Sequence, residues 1–219
     1  MAQNIILTNI CGYMILLLPF ALLTGPAVPD IIISICSLLF IYISISEKKY
    51  HYFKNNIFYF LIIFYLYLIF SSLLSDYKYF SLKSSLFYFR FIFFSLAVWY
   101  LIENKKFFLN HFFYILTISF SIGLVAGFYE YIYSQTIFGK ESVSNRLLLL
   151  TSDNLLLGQY LSRMFPIVVA FYMYINYKSN WSYFYLFFLF IAVDVLTFLS
   201  GERTALVLLF LSSFSILFL

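Results

Sequence analysis

Residues 184–219 read FYLFFLFIAVDVLTFLSGERTALVLLFLSSFSILFL, two apolar runs around the polar knot Leu199-Ser200-Gly201-Glu202-Arg203-Thr204-Ala205-Leu206. At ~1.5 Å per residue each run crosses most of a ~30 Å hydrocarbon layer as a helix. Ser200 to Arg203 is then expected as a tight turn at one membrane surface. With Thr204 beside it, that turn sets a guanidinium among a glycine, two hydroxyls and a carboxylate, a mixture suited to an anion.

The rest of the chain agrees with this reading. Of 219 residues, 64% are hydrophobic and 10% charged, with a mean hydropathy of +0.96. Too little polar surface is available to cover a soluble core, which points to a multi-pass membrane protein. The 30 Phe and 21 Tyr are spread through every segment and are read as lipid-facing bulk. A scattered net charge of +4, with no basic stripe, gives nucleic-acid binding no support. Cys11 and Cys36 stand alone in the first two runs, without metal-ligand or disulfide spacing. The first run lacks a basic leader and a cleavage pattern, so it is expected as an uncleaved span.

Eight apolar runs are marked: Ile5–Leu23, Ile31–Ile45, Ile57–Leu74, Ser84–Ile102, Phe112–Tyr131, Asn154–Ile175, Tyr183–Leu199 and Thr204–Leu219. They are helical in length, too long for the strands of an outer-membrane barrel. The expected fold is therefore all-α, a polytopic transmembrane helical bundle forming one membrane domain over residues 1–219. The segments between the runs, such as Thr24–Asp30, Ser46–Asn56 and Ser75–Lys83, are read as loops. The longest, Ile132–Asp153, has room to fold over a site. Alternate loops hold Lys48, Lys49, Lys54, Lys105, Lys106 and Lys178 on one side, and Lys78, Lys83, Lys140, Arg146 and Arg203 on the other. The all-lysine set is assigned to the cytoplasm, together with the N-terminus.

Charges within spans are costly and need a partner or a role. Arg90, Glu130, Arg163 and Asp194 all fall in the outer half of this topology, with Arg146 and Arg203. Two uses are open for them. They line an arginine-rich cavity facing the outside, or they are buried ion pairs, Arg163 with Asp194 and Arg90 with Glu130. Arginine binds phosphate bidentately and stays charged when desolvated; at the interface, Arg146 and Arg203 could also meet lipid phosphate.

The block Arg146-Leu-Leu-Leu-Leu-Thr-Ser-Asp153-Asn154-Leu-Leu-Leu-Gly158-Gln-Tyr-Leu161, followed by Pro166, resembles the middle block of the O-antigen ligase and polymerase family. Leu199 to Leu206 resembles that family's Ser-Gly-Ser-Arg-x-x-Leu signature, and Arg90 after Ser75-Asp76 is a weaker echo. The resemblance covers residues 75–211 and implies a GT-C-like membrane glycosyltransferase of the bacterial inner membrane. Such an enzyme moves a glycan from an undecaprenyl-diphosphate carrier to a glycan or lipid acceptor at the periplasmic face. By that resemblance Arg203, Arg146 and Arg90 bind the donor diphosphate, with Ser200, Gly201, Glu202, Asn154, Arg163 and Asp194 in support. Arginines would then neutralise the leaving diphosphate in a metal-independent transfer without cofactor.

The chain departs from the pattern in three places. Glu202 replaces a small residue before the signature arginine, where it either pairs with Arg203 or orients it. Leu147 to Leu150 replace a more polar turn. The family's acceptor-activating histidine lies in a loop beyond this chain's last residue, so a longer protein is expected and no general base can be named. His51 and His111 fall on the expected cytoplasmic edge. Two rival functions remain, a transporter with helices broken at Pro19, Pro26, Pro29 or Pro166, and a non-catalytic membrane scaffold.

Overall fold

The computed structural model describes residues 2–105, 108–139, 147, 157–175 and 181–217. Among them are nine α-helices: α1 (Ala2–Leu23), α2 (Ala27–Ser46), α3 (Asn56–Leu73), α4 (Lys78–Leu86), α5 (Phe89–Asn104), α6 (Phe108–Tyr133), α7 (Leu157–Ile175), α8 (Trp181–Leu199) and α9 (Arg203–Leu217). The expected all-helical class therefore holds.

Among the described residues, five stretches are long and apolar enough to cross a membrane: Asn4–Leu23, Ala27–Ser46, Asn56–Leu73, Lys78–Asn104 and Phe108–Tyr133. Helix α7, with Gln159, Ser162 and Arg163 in its first two turns, is not among the five, and the apolar stretches of α8 and α9 are shorter. Two expected loops are helical. Residues 27–30 belong to α2, because a proline in a first turn has no intrahelical hydrogen bond to forfeit. Much of Ser75–Lys83 belongs to α4, a helix whose lysines and serines hide it from an apolar scan.

The chain forms two compact units, Met1–Leu18 with Pro29–Leu109, and Pro19–Val28 with Asn110–Leu219. In the first, Cys11, Ile15, Cys36, Phe40, Ile43, Leu96 and Leu101 are buried. The Cys36 thiol points at the Cys11 carbonyl, 3.9 Å away. Helix α3 is different in kind. It is apolar on all sides, yet its one buried residue is Ser72, and Phe60, Ile63 and Tyr67 are each more than 60% exposed. A helix apolar all round belongs in lipid or inside a larger assembly.

In the second unit, Leu116, Phe120, Leu157, Leu161, Phe165, Val169, Val193, Leu196 and Leu209 form one core. The buried positions of α7 recur at helical spacing from Leu157 to Val169, so one face of this helix carries the unit. Small residues let its neighbours come close. A β-carbon on Gly123 of α6 would lie 3.1 Å from the Tyr160 ring, and one on Gly127 would lie 2.7 Å from Leu157. The tightest approach is that of α7 to α9: a β-carbon on Gly158 would collide with the Ser200 hydroxyl and lie 3.4 Å from Ala205.

These contacts distinguish two glycines. Gly158→Ala should destabilise by about 1–3 kcal/mol, as overpacked cores do, whereas Gly12→Ala meets nothing nearer than Leu101 at 3.8 Å and should be neutral or stabilising. Thermal unfolding followed by circular dichroism in detergent checks this, and equal midpoints for the two variants would refute the packing.

Candidate functional site

The polar knot is built from the end of α8. Thr197 donates its hydroxyl to the Val193 carbonyl, and Ser200 donates to the Thr197 carbonyl at 2.7 Å, so both buried hydroxyls are satisfied within their own helix. Helix α8 then stops, with the Ser200 N–H on the Leu196 carbonyl at 2.8 Å and the Gly201 N–H on the Phe198 carbonyl at 3.1 Å. Gly201 has φ +71°, the left-handed conformation in which glycine closes helices. The Glu202 carbonyl accepts from the N–H groups of Ala205 and Leu206 at 3.1 and 3.3 Å and opens α9.

The turn therefore comprises Ser200 to Glu202, and Arg203 is the first residue of α9 rather than part of the turn. Glu202 is buried, whereas Arg203 is exposed and makes no ion pair among the described residues. Ser200, expected in a supporting role, is fully buried against Gly158. The structure thus brings Gly158 of the first motif block against Ser200 and Ala205 of the second.

The remaining candidates are dispersed. Arg146 and Asn154 lie outside the described residues. Arg163 stands on the exposed face of α7. Asp194 on α8 is half-buried, and its Oδ1 is buried without a hydrogen-bond partner among the described residues. No ion pair joins Arg163 to Asp194.

Arg90, on α5 in the first unit, has a carboxylate partner that the sequence reading left in a loop. Its Nη2 donates to Asp30 Oδ2 at 2.9 Å and its Nη1 reaches Ser34 Oγ at 3.4 Å. Ser37 donates to the Arg90 carbonyl at 2.6 Å, and the guanidinium carbon lies 5.0 Å from the Phe91 ring centroid. Asp30 enters because α2 begins before it. The two side chains are 23% and 48% exposed, so this pair orients Arg90 more than it stabilises the fold.

A second polar cluster, in the same unit, escaped the sequence reading. Tyr52, in a 3₁₀ turn at Tyr50–Lys54, donates to Glu103 Oε2 at 2.6 Å, and Trp99 Nε1 donates to Glu103 Oε1 at 2.6 Å. Lys49 pairs with Glu47 at 2.8 Å and lies 4.6 Å from the Tyr100 ring centroid. The rings of Tyr52, Trp99 and Tyr100 meet edge to face, with centroids 5.5 and 5.8 Å from Tyr52. His51 stacks on Tyr52 at 4.0 Å. Burial, and then the bond to Glu103, push the Tyr52 phenol well above its ordinary value. A pair of tyrosines beside a tryptophan and two glutamates is the signature of a span end, where ring and charge meet the headgroup layer.

No family model matches the chain, and no curated protein or solved structure matches it. Its class is therefore defined by the fold alone: a helical chain with five stretches among the described residues, one of them α4 and α5 together, that have the length and composition of membrane spans.

The Glu47 and Lys49 pair makes stability depend on pH. The Lys49 hydrogen bond holds the Glu47 carboxyl below its ordinary value against the opposing effect of burial. Burial pushes the Lys49 ammonium down, but its contacts with Glu47 and Tyr100 outweigh this and raise it. A lowered carboxyl contributes stability above its ordinary value and loses it as pH falls through the folded one. A raised ammonium loses its contribution as pH rises through its own folded value. Glu47→Gln should therefore lower the thermal midpoint slightly near neutral pH, with the two proteins converging as pH falls below the ordinary carboxylate range and Glu47 loses its charge. A difference that stays constant across that range would rule out the carboxylate as its source.

Proposed function

We propose that this chain is a membrane-embedded glycosyltransferase of the O-antigen ligase and polymerase type, acting on a glycan carried by undecaprenyl diphosphate at the periplasmic face of the bacterial inner membrane. In this reading the chain crosses the membrane eight times, with its N-terminus in the cytoplasm, and Arg203 contacts the donor diphosphate.

The observation that carries the proposal is the state of Arg203. It stands exposed at the first position of a 15-residue helix, its neighbouring carboxylate is buried, and no described residue pairs with it. A helix N-terminus favours negative charge through its unpaired N–H groups and its dipole, and a guanidinium there adds a bidentate donor for phosphate oxygens. Cleavage of the sugar–phosphate bond leaves negative charge on the departing diphosphate while the acceptor hydroxyl forms the new glycosidic bond. Arg203 stabilises that charge as it develops, a role that the resemblance also gives to Arg146. Ser200 and Gly201 act at one remove, fixing where α9 begins.

Arg203→Ala is expected to insert in the membrane at the wild-type level and to lower glycan transfer by ~10²-fold or more, the loss typical of removing one charge-stabilising donor. Arg203→Lys should recover only part of it, because an ammonium cannot form the paired contact. Glycan transfer in cells relying on each variant measures this, and wild-type transfer by Arg203→Ala would remove Arg203 from the site.

A further inference from the structure

A groove of about 580 Å³ runs along the junction of α4 and α5, lined by Lys83, Ser84, Phe87, Tyr88, Arg90 and Phe91. It lies wholly within the first unit and is independent of the reading given to Arg203. Its volume is that of a ligand site, ~300–1,000 Å³. The lining offers two cations, two hydroxyls and two phenylalanine rings, with no carboxylate.

Arg90 is held in place for a ligand rather than consumed by its neighbours. Asp30 and Ser34 engage its two terminal nitrogens from α2 and the Phe91 ring lies against it, while its Nε is buried without a hydrogen-bond partner among the described residues. A guanidinium carries five N–H donors; with two engaged and the one on Nε buried, two are left for another acceptor. Lys83 is exposed and makes no ion pair among the described residues. With Asp30 offsetting Arg90, one net positive charge is left at the groove, the complement of the single negative charge of a phosphodiester.

The surroundings fix the depth. Helix α4 carries Lys78, Ser81, Lys83, Ser84 and Ser85, yet Tyr77, Tyr79 and Phe80 at its start are each more than 70% exposed. Aromatic rings between lysines mark the headgroup layer of a bilayer. Ser85 bonds Ser72 at 3.0 Å and Tyr65 donates to the Leu86 carbonyl at 3.1 Å, so α4 is tied back along α3 rather than hanging free. A phosphate seated between Lys83 and Arg90 would leave its apolar part against Phe87 and Phe91.

We propose that this groove binds the headgroup of an anionic glycerophospholipid, its phosphodiester between Lys83 and Arg90 and its glycerol and upper acyl chain along Phe87 and Phe91. A free phosphate has no use for the two rings, and a diphosphate carries more charge than the groove balances.

The test uses the whole chain in nanodiscs of phosphatidylcholine doped with phosphatidylglycerol, with retained lipid counted by native mass spectrometry. Wild type should hold phosphatidylglycerol in preference to phosphatidylcholine. Lys83→Ala should weaken this about fivefold, the effect of one basic residue at a membrane surface, and Lys83→Glu should abolish it. Lys78→Ala, on the same helix but away from the groove, should match wild type. Equal retention by wild type and both Lys83 variants would overturn the proposal. So would displacement of the phosphatidylglycerol by inorganic phosphate or by an equal amount of a polyprenyl phosphate.

Discussion

Helix α7 comes as close to α9 as it does because position 158 has no side chain. Gly158 meets the Ser200 hydroxyl and the Ala205 methyl, and a methyl group in its place would already collide. Such an approach needs the hydroxyls of Thr197 and Ser200 to be satisfied without partners on α7. Both donate back to carbonyls of α8, leaving small, saturated surfaces to touch. The backbone after Ser200 then has one exit, through the positive φ of Gly201. Glu202 is carried into the packing and Arg203 out of it. Arg203, 45 residues after Gly158, opens the helix that this contact holds.

The first unit solves a different problem. It places charge in helices that are otherwise apolar, and in surroundings of low dielectric constant each charge needs a partner. Asp30 meets Arg90, Glu47 meets Lys49, and Glu103 accepts from Tyr52 and Trp99. These ties sit near helix ends, whereas the middles of α1, α2 and α5 touch through Cys11, Ile15, Cys36, Phe40, Leu96 and Leu101. Helix α3 takes little part in the buried core. Its exposed Phe, Ile and Tyr side chains need an apolar surrounding that the unit itself does not supply.

Much of this was legible in the sequence because apolar run length is a local property. All eight runs contain helix among the described residues, and a turn at Ser200–Arg203 was visible from glycine and polarity alone, although Arg203 proves to open α9. What escaped depended on distance in the chain. Asp30 and Arg90 are 60 positions apart, and Asp30 falls in the segment Thr24–Asp30 that lies before the apolar run beginning at Ile31. Helix α4 was hidden by its lysines and serines. Glu202 carried two readings, pairing with Arg203 or orienting it, and periodicity could not choose, since the choice depends on how α9 is rotated against α7. The spacing Gly123-x-x-x-Gly127 was a local signal of close helix packing that the sequence reading passed over.

We propose that the approach of α7 to α9 presents Arg203 to an anion. The most direct test is the affinity of the folded Gly158→Ala protein for a soluble polyprenyl diphosphate, in which Arg203 itself is untouched. Binding is expected to weaken ~10-fold or more, a change of about 1.4 kcal/mol, as α9 shifts off α7. Wild-type affinity in a protein whose stability has fallen would contradict it, showing that Arg203 needs no such contact to meet its ligand.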